Sequence, residues 1–363
     1  MQVSFDLSVL LFVAGALTGA LRPALRIPSV LSKLLSRYLL IAIGLKGGAA
    51  LAGANLSLSL VSNIAAGLVM ALVVPISGFF ILKRMTTHLN AAAIAAAYGS
   101  VSVVTFVTAV QTLEVSGVAY GGYMTAVLAL MESPAIFMAI LLAAAVRRRG
   151  GSGGAERQGL SVRHAMREAL TDRTQLLLLA AFVVGALLST SNVSLLALVV
   201  GDGFRVVLMI FLFDMGIEVA RQFPVARRSS RSLLAYAVCA PLAHAALALL
   251  LSALLGFGVG DATLLMVLSA SASYIVVPAV IRHTIPEANP ALYLGLSLGI
   301  TFPFNILFGI PIYAALATAL LGSGVAHAAH PRGTPSLAAS GESGCARRRA
   351  RLRRGEPSDR EPR

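Results

Sequence analysis

The chain has 363 residues, 57% hydrophobic and only 12% charged, where soluble domains carry roughly 25% charged residues. That balance excludes a soluble globular protein, and two cysteines, Cys239 and Cys345, exclude a disulfide framework or a cysteine-based zinc site. The formal charge is +14; nine basic and four acidic residues lie beyond Ser323, and the remaining 20 basic against 11 acidic bear first on membrane orientation, not on nucleic acid.

Apolar runs separated by charge, Gly and Pro predict ten membrane spans, near 7–21, 30–51, 57–82, 91–111, 118–146, 175–191, 204–221, 232–256, 262–281 and 290–321. Each is expected to be helical, because lipid offers no partner for backbone N–H and C=O groups. The opening segment lacks the basic start of a signal peptide and carries Asp6, so it reads as a retained first span. The fold class predicted is therefore an all-α polytopic membrane protein. Its parts are a first five-span repeat (1–146), a linker (147–173), a second five-span repeat (174–321) and a disordered basic tail (322–363) rich in Ala, Ser, Gly, Pro and Arg.

Basic residues set the orientation. With the linker placed in the cytoplasm, the connections on its side hold 18 basic residues, among them Arg22, Arg26, Lys83, Arg84, Arg227, Arg228 and Arg282, against Lys46 and Arg205 outside. Both termini then lie outside. The run RRRARLRR (347–354) falls on the side the rule disfavours, but beyond the roughly 15–20 residues over which the rule acts.

An internal repeat with an offset of about 169–172 residues is the most informative feature. IGLKGG (43–48) falls on MGIEVA (215–220), Ser100 and Ser102 fall on Ser269 and Ser271, and MESPA (131–135) falls on TFPFN (301–305). Five spans is an odd number, so the two copies must be inverted. Inverted repeats mark secondary transporters, with the substrate site at the repeat interface near mid-bilayer.

The fourth and ninth spans are unusual in being lined by small hydroxylated residues. Gly99, Ser100, Ser102 and Thr105 stand opposite Ser269, Ser271 and Ser273, with Gly99 and Pro278 as weak points. A helix broken there presents free N–H groups and a positive dipole end to an anion, worth about 0.3–2 kcal/mol per terminus. The alternative is that small residues simply let helices pack closely. Intramembrane acids are costly and mark pathways. Glu132, just ahead of Ser133-Pro134, offers a carboxylate beside a carbonyl freed by proline. Asn305 and Thr301 in the repeat mate add oxygen ligands for a hard cation such as Na⁺. Asp214 and Glu218 sit one turn apart on span seven. For Glu218 an ion pair with Arg221 competes with a pathway role, and Lys46 is expected to snorkel outward. His244 reads as a helix contact rather than a proton relay. No catalytic or organic-cofactor fingerprint appears, so an enzyme is not expected.

On IGLKGG (43–48), YGSVSVVTFVTA (98–109), MESPAIFMAIL (131–141), MGIEV (215–219), APLAHA (240–245) and IPEANPALYLG (285–295), the sequence resembles the sodium-dependent bicarbonate symporter family of cyanobacteria and other bacteria. The resemblance implies ten spans in a 5+5 inverted repeat and a homotrimer. It implies bicarbonate held between the broken fourth and ninth spans with Na⁺ alongside, and control by a cytoplasmic PII-like protein. By motif, Ser100 and Ser102 take substrate positions and Glu132 stands where the family has Asp. The chain departs from the family where Tyr274 replaces an Asp and Val276-Val277-Pro278 replaces Gly-Pro-Pro. The function expected is Na⁺-coupled uptake of a small monovalent oxyanion, bicarbonate first. The alternatives are proton-driven transport of another small anion such as a short carboxylate, or a non-transporting regulatory membrane subunit.

Overall fold

The computed structural model describes residues 7–22, 24–25, 27–52, 58–149, 173–188, 202–274 and 276–328. The tail from 329 and the linker between 150 and 172 lie outside them. Among the described residues the chain is helical, without strands. The helices are α1 (Leu7–Leu21), α2 (Ser29–Ala52), α3 (Leu58–Leu82), α4 (His88–Gly99), α5 (Val103–Val115), α6 (Met124–Arg149), α7 (Arg173–Leu188), α8 (Asp202–Ala226), α9 (Arg231–Leu255), α10 (Val259–Ala270), α11 (Val276–Thr284), α12 (Pro290–Leu296) and α13 (Ile310–Ala328). Two π-helical stretches, Ser297–Thr301 and Asn305–Gly309, join α12 to α13 around one α-helical turn. Among the described residues, five helical segments are long and apolar enough to cross a membrane: 30–52, 59–82, 88–115, 231–255 and 290–322. The fifth span starts later than its apolar run suggests, because Gly117 adopts a left-handed φ of 68° and residues 116–123 form a turn ahead of Met124.

Two packing patterns organise the helices. α1 lies along α8 and α2 along α7, while α3–α6 and α9–α13 pack around α4 and α10. The first two seams are built by glycine. A Cβ at Gly15 or Gly216 would collide with facing backbone at the α1–α8 crossing, and one at Gly44 or Gly185 would do so at the α2–α7 crossing. Gly15 and Gly185 are 170 residues apart and Gly44 and Gly216 are 172 apart, so the two seams repeat each other at the offset seen in the sequence. Small residues let helix backbones approach without a hydrophobic driving force, as lipid surroundings require. The middle of the second group is the most deeply buried stretch among the described residues, with Ala91 to Gly99 of α4 and Ala262 to Ala270 of α10 all buried.

Candidate functional site

α4 and α10 have the same length and stop at equivalent places. α4 runs His88–Gly99 and α10 runs Val259–Ala270, an offset of 171 residues at both ends. The residues that follow, Ser100 and Ser271, share an extended backbone, with φ −93°, ψ 166° and φ −81°, ψ 166°. The structure therefore pairs Ser100 with Ser271 and Ser102 with Ser273, and sets Ser269 opposite Tyr98. This corrects the sequence pairing of Ser100 with Ser269 and Ser102 with Ser271 by two residues. Three serines in alternation on one strand and two on the other admit both alignments, and only the helix ends choose between them.

The two interruptions lie against each other. The Ser102 N–H donates to Ser271 Oγ at 2.9 Å, and the Ser273 N–H donates to the Ala97 carbonyl at 2.8 Å. Ser271 Oγ in turn donates to the Leu268 carbonyl at 2.9 Å. Ser102 caps α5: its Oγ accepts from the Thr105 N–H at 3.3 Å and from the Thr105 hydroxyl at 2.9 Å. Ser273 Oγ accepts from the Val277 N–H at the start of α11 at 3.4 Å. In both capping serines the oxygen serves the helix, which leaves the hydroxyl hydrogen for a third group. Thr105 thus positions Ser102, and Gly99 is required by packing, since a Cβ there would press on the Pro75 ring.

Ser102, Ser273, Tyr274 and Glu132 line a cavity of about 40 Å³ between the interruptions, closed on the far side by Leu39 and Leu40 of α2 and Phe211 of α8. At roughly 10–15 Å³ per water centre, it has room for a few waters or one small ion. Glu132 is only 3% exposed and lies two residues ahead of Pro134, which withholds a partner from the Leu130 carbonyl. Ser100, Thr105, Ser269 and Ser271 are buried at the interruptions without lining this cavity. Seven buried side-chain polar atoms have no hydrogen-bond partner among the described residues, and three of them, Ser100 Oγ, Ser269 Oγ and Tyr274 OH, belong to these interruptions. Native proteins keep few such groups, so each is a donor or acceptor open to a further partner.

Thr301 and Asn305 do other work. Pro241 inside α9 has no N–H, and the carbonyl it leaves open, that of Ala237, accepts from Thr301 Oγ1 at 2.7 Å. Thr301 also bonds the Tyr98 hydroxyl at 2.6 Å, next to the end of α4. Asn305 Nδ2 donates to the Ala270 carbonyl at the end of α10 at 2.9 Å, and its Oδ1 accepts from Tyr313 at 2.9 Å. Each π-helical segment thus braces one interrupted helix, and neither residue faces the cavity. Asp214 lies by Ser32, and Glu218 pairs with Arg221 at 3.2 Å and Gln222 at 3.0 Å; both stand away from the interruptions. His244 contacts Ser77 at 3.4 Å across α9 and α3. Among the described residues no cluster of three His, Cys, Asp or Glu side chains is placed to hold a metal.

Sequence reasoning missed two features. Lys46 does not snorkel; it forms an ion pair with Glu114, whose Oε1 also accepts from the Tyr120 hydroxyl at 2.6 Å. Asp261, in the first turn of α10, accepts from the Gly121 N–H at 2.6 Å and from the Tyr123 hydroxyl, pinning the 116–123 turn to that helix. Nothing in the spacing of these residues announces the partners.

A comparison with curated proteins finds no match. A family model described as the Na⁺-dependent bicarbonate transporter superfamily matches residues 8–318, a stretch that contains both interrupted helices, the cavity and the two π-helical braces. The chain belongs to the Na⁺-dependent bicarbonate transporter superfamily.

Proposed function

We propose that the protein takes up a small monovalent oxyanion, bicarbonate first, together with Na⁺, by alternating access. The observation that carries this reading is the pair of capping serines: Ser102 and Ser273 each give their oxygen to a helix N-terminus and keep a hydroxyl hydrogen at one cavity. The same two N-termini add their positive dipole ends, so an anion is favoured without any fixed positive charge in the lining. Glu132 supplies the opposite requirement. Its carboxylate oxygens stand in the same lining, and oxygen donors suit Na⁺. The energetics agree, since one monovalent anion moved inward against 100 mV costs about 2.3 kcal/mol and one Na⁺ cancels that charge.

Alternating access on this reading is motion of α1, α2, α7 and α8 against the group that holds the interrupted helices. The glycine seams at matching offsets support ten spans in a 5+5 inverted repeat. Lys46 and Glu114 lie six and seven residues beyond the cavity-lining Leu40 and Val107, about 9–10 Å along their helices. Their ion pair, with Tyr120, ties the two groups at that end. Charge bias supports a cytoplasmic linker with both termini outside, in a bacterial inner membrane. A homotrimer and a PII-like cytoplasmic regulator remain part of the proposal through the family likeness.

The test is uptake of radiolabelled bicarbonate into proteoliposomes with and without an inward Na⁺ gradient. Wild-type flux is expected to require Na⁺, and Glu132→Gln is expected to lose at least tenfold in rate. Bicarbonate flux indifferent to Na⁺ contradicts the coupling. Flux driven by pH alone and inhibited by formate or acetate would favour the short-carboxylate reading.

A further inference from the structure

Tyr274 is the one aromatic hydroxyl in the cavity lining. Its ring is fixed edge-on against Phe302 at 5.3 Å, and Phe302 is fixed in the same way against Phe12 at 5.7 Å. The phenol oxygen is buried and lies beside Ser102, with no partner at hydrogen-bond geometry among the described residues. A side chain held this firmly, with its only polar atom unsatisfied, has a defined direction and an open valence. Burying such a hydroxyl is costly when nothing bonds it, and a ligand arriving in the cavity removes that cost.

We propose that the Tyr274 hydroxyl is a third anion-facing donor, and that it makes the site selective for oxyanions with three oxygens over those with two. This inference rests on the anion-transport reading above. Ser102, Ser273 and Tyr274 then present three neutral O–H donors from three directions, the first two from capping serines and the last from a braced ring. A planar ion with three oxygens offers an acceptor to each. A carboxylate such as formate offers two, and leaves one buried donor unmatched, which is the situation in which hydrogen-bonding sites discriminate most strongly. The neutrality of the donor matters as well. A phenol adds no charge beside Glu132, which remains the one carboxylate of the lining.

The variant is Tyr274→Phe, which keeps the ring and its contact with Phe302. Three measurements decide: bicarbonate KM in proteoliposomes, inhibition of that uptake by formate, and the melting temperature of the purified protein. The expected result is a bicarbonate KM raised about tenfold, formate inhibition changed less than twofold, and a melting temperature equal to wild type or higher. Unchanged bicarbonate KM in an otherwise active transporter overturns the role of Tyr274 and leaves the transport reading standing. So does an equal loss for bicarbonate and formate, which marks the hydroxyl as a general contact without selectivity. Wild-type vesicles that carry no anion at all overturn the transport reading itself.

Discussion

The two interruptions begin at equivalent positions, with the same extended backbone at Ser100 and Ser271 and serines two residues on, yet they are bonded differently. Ser271 Oγ receives the Ser102 N–H and passes its own hydrogen to the Leu268 carbonyl. Its counterpart Ser100 Oγ has no hydrogen-bond partner among the described residues, and the Ser273 N–H, which corresponds to that of Ser102, goes straight to the Ala97 carbonyl. Ala97 is itself the counterpart of Leu268 at the 171-residue offset. The unused positions are therefore the mirror image of the used ones. For a carrier that alternates, this asymmetry has a simple meaning: one set of donors and acceptors can be made up in two ways, and the present arrangement holds one of them.

The largest effects should come from the braces that hold the two halves in place. Asn305→Leu orphans the Ala270 carbonyl and the Tyr313 hydroxyl, while Thr301→Val orphans the Ala237 carbonyl and the Tyr98 hydroxyl. Each orphaned group costs about 1–3 kcal/mol, so both variants are expected to melt well below wild type in detergent. A melting temperature within a degree of wild type for either one would show that its π-helical segment is not a brace.

The next pair sharpens the asymmetry itself. Ser271→Ala leaves the Ser102 N–H unpaired, at about 1–3 kcal/mol, whereas Ser100→Ala removes a hydroxyl that is already unpaired and should leave stability unchanged or higher. Under the proposed mechanism the two also push the conformational balance in opposite directions, Ser271→Ala away from the present arrangement and Ser100→Ala toward it. Labelling of a cysteine placed near the Lys46–Glu114 end should thus rise in the first and fall in the second. Shifts of equal sign would break the comparison.

The smallest stability effect separates the two caps. Ser102→Ala loses two bonds to Thr105 and should cost about 1 kcal/mol, in the usual range for an N-cap. Ser273→Ala loses one longer bond to Val277 and should cost a few tenths. Both are expected to raise the anion KM to a similar degree, because each loses one cavity-facing hydrogen. If KM follows stability instead, the serines act only as caps.

Much of this architecture could be read from residue types, and the remainder could not for identifiable reasons. The interruptions fall at Gly99–Ser102 and at the serine run before Tyr274, where small hydroxylated residues replace the Leu and Ile of an ordinary span. The two-residue error in pairing arose because alternating serines match themselves at several registers. Thr301 and Asn305 looked like ion ligands because a polar residue deep in a span suggests one. Their actual partners are the carbonyl opened by Pro241 and the end of α10, which exist only after the helices have packed. Lys46 gave no hint of Glu114, 68 residues away. Glu132 drew notice as an acid two residues ahead of a proline in an apolar run, and it lines the cavity.

The central claim is that the anion occupies the cavity between the interruptions. It is tested most directly by protection of a single cysteine at Ser36, which lines that cavity from α2, in a chain whose Cys239 and Cys345 are replaced by serine. Bicarbonate with Na⁺ should slow modification of Ser36→Cys by a small thiol reagent at least fivefold, with chloride and Na⁺ having no such effect. Equal labelling rates with and without bicarbonate, in protein that still transports it, would place the anion elsewhere.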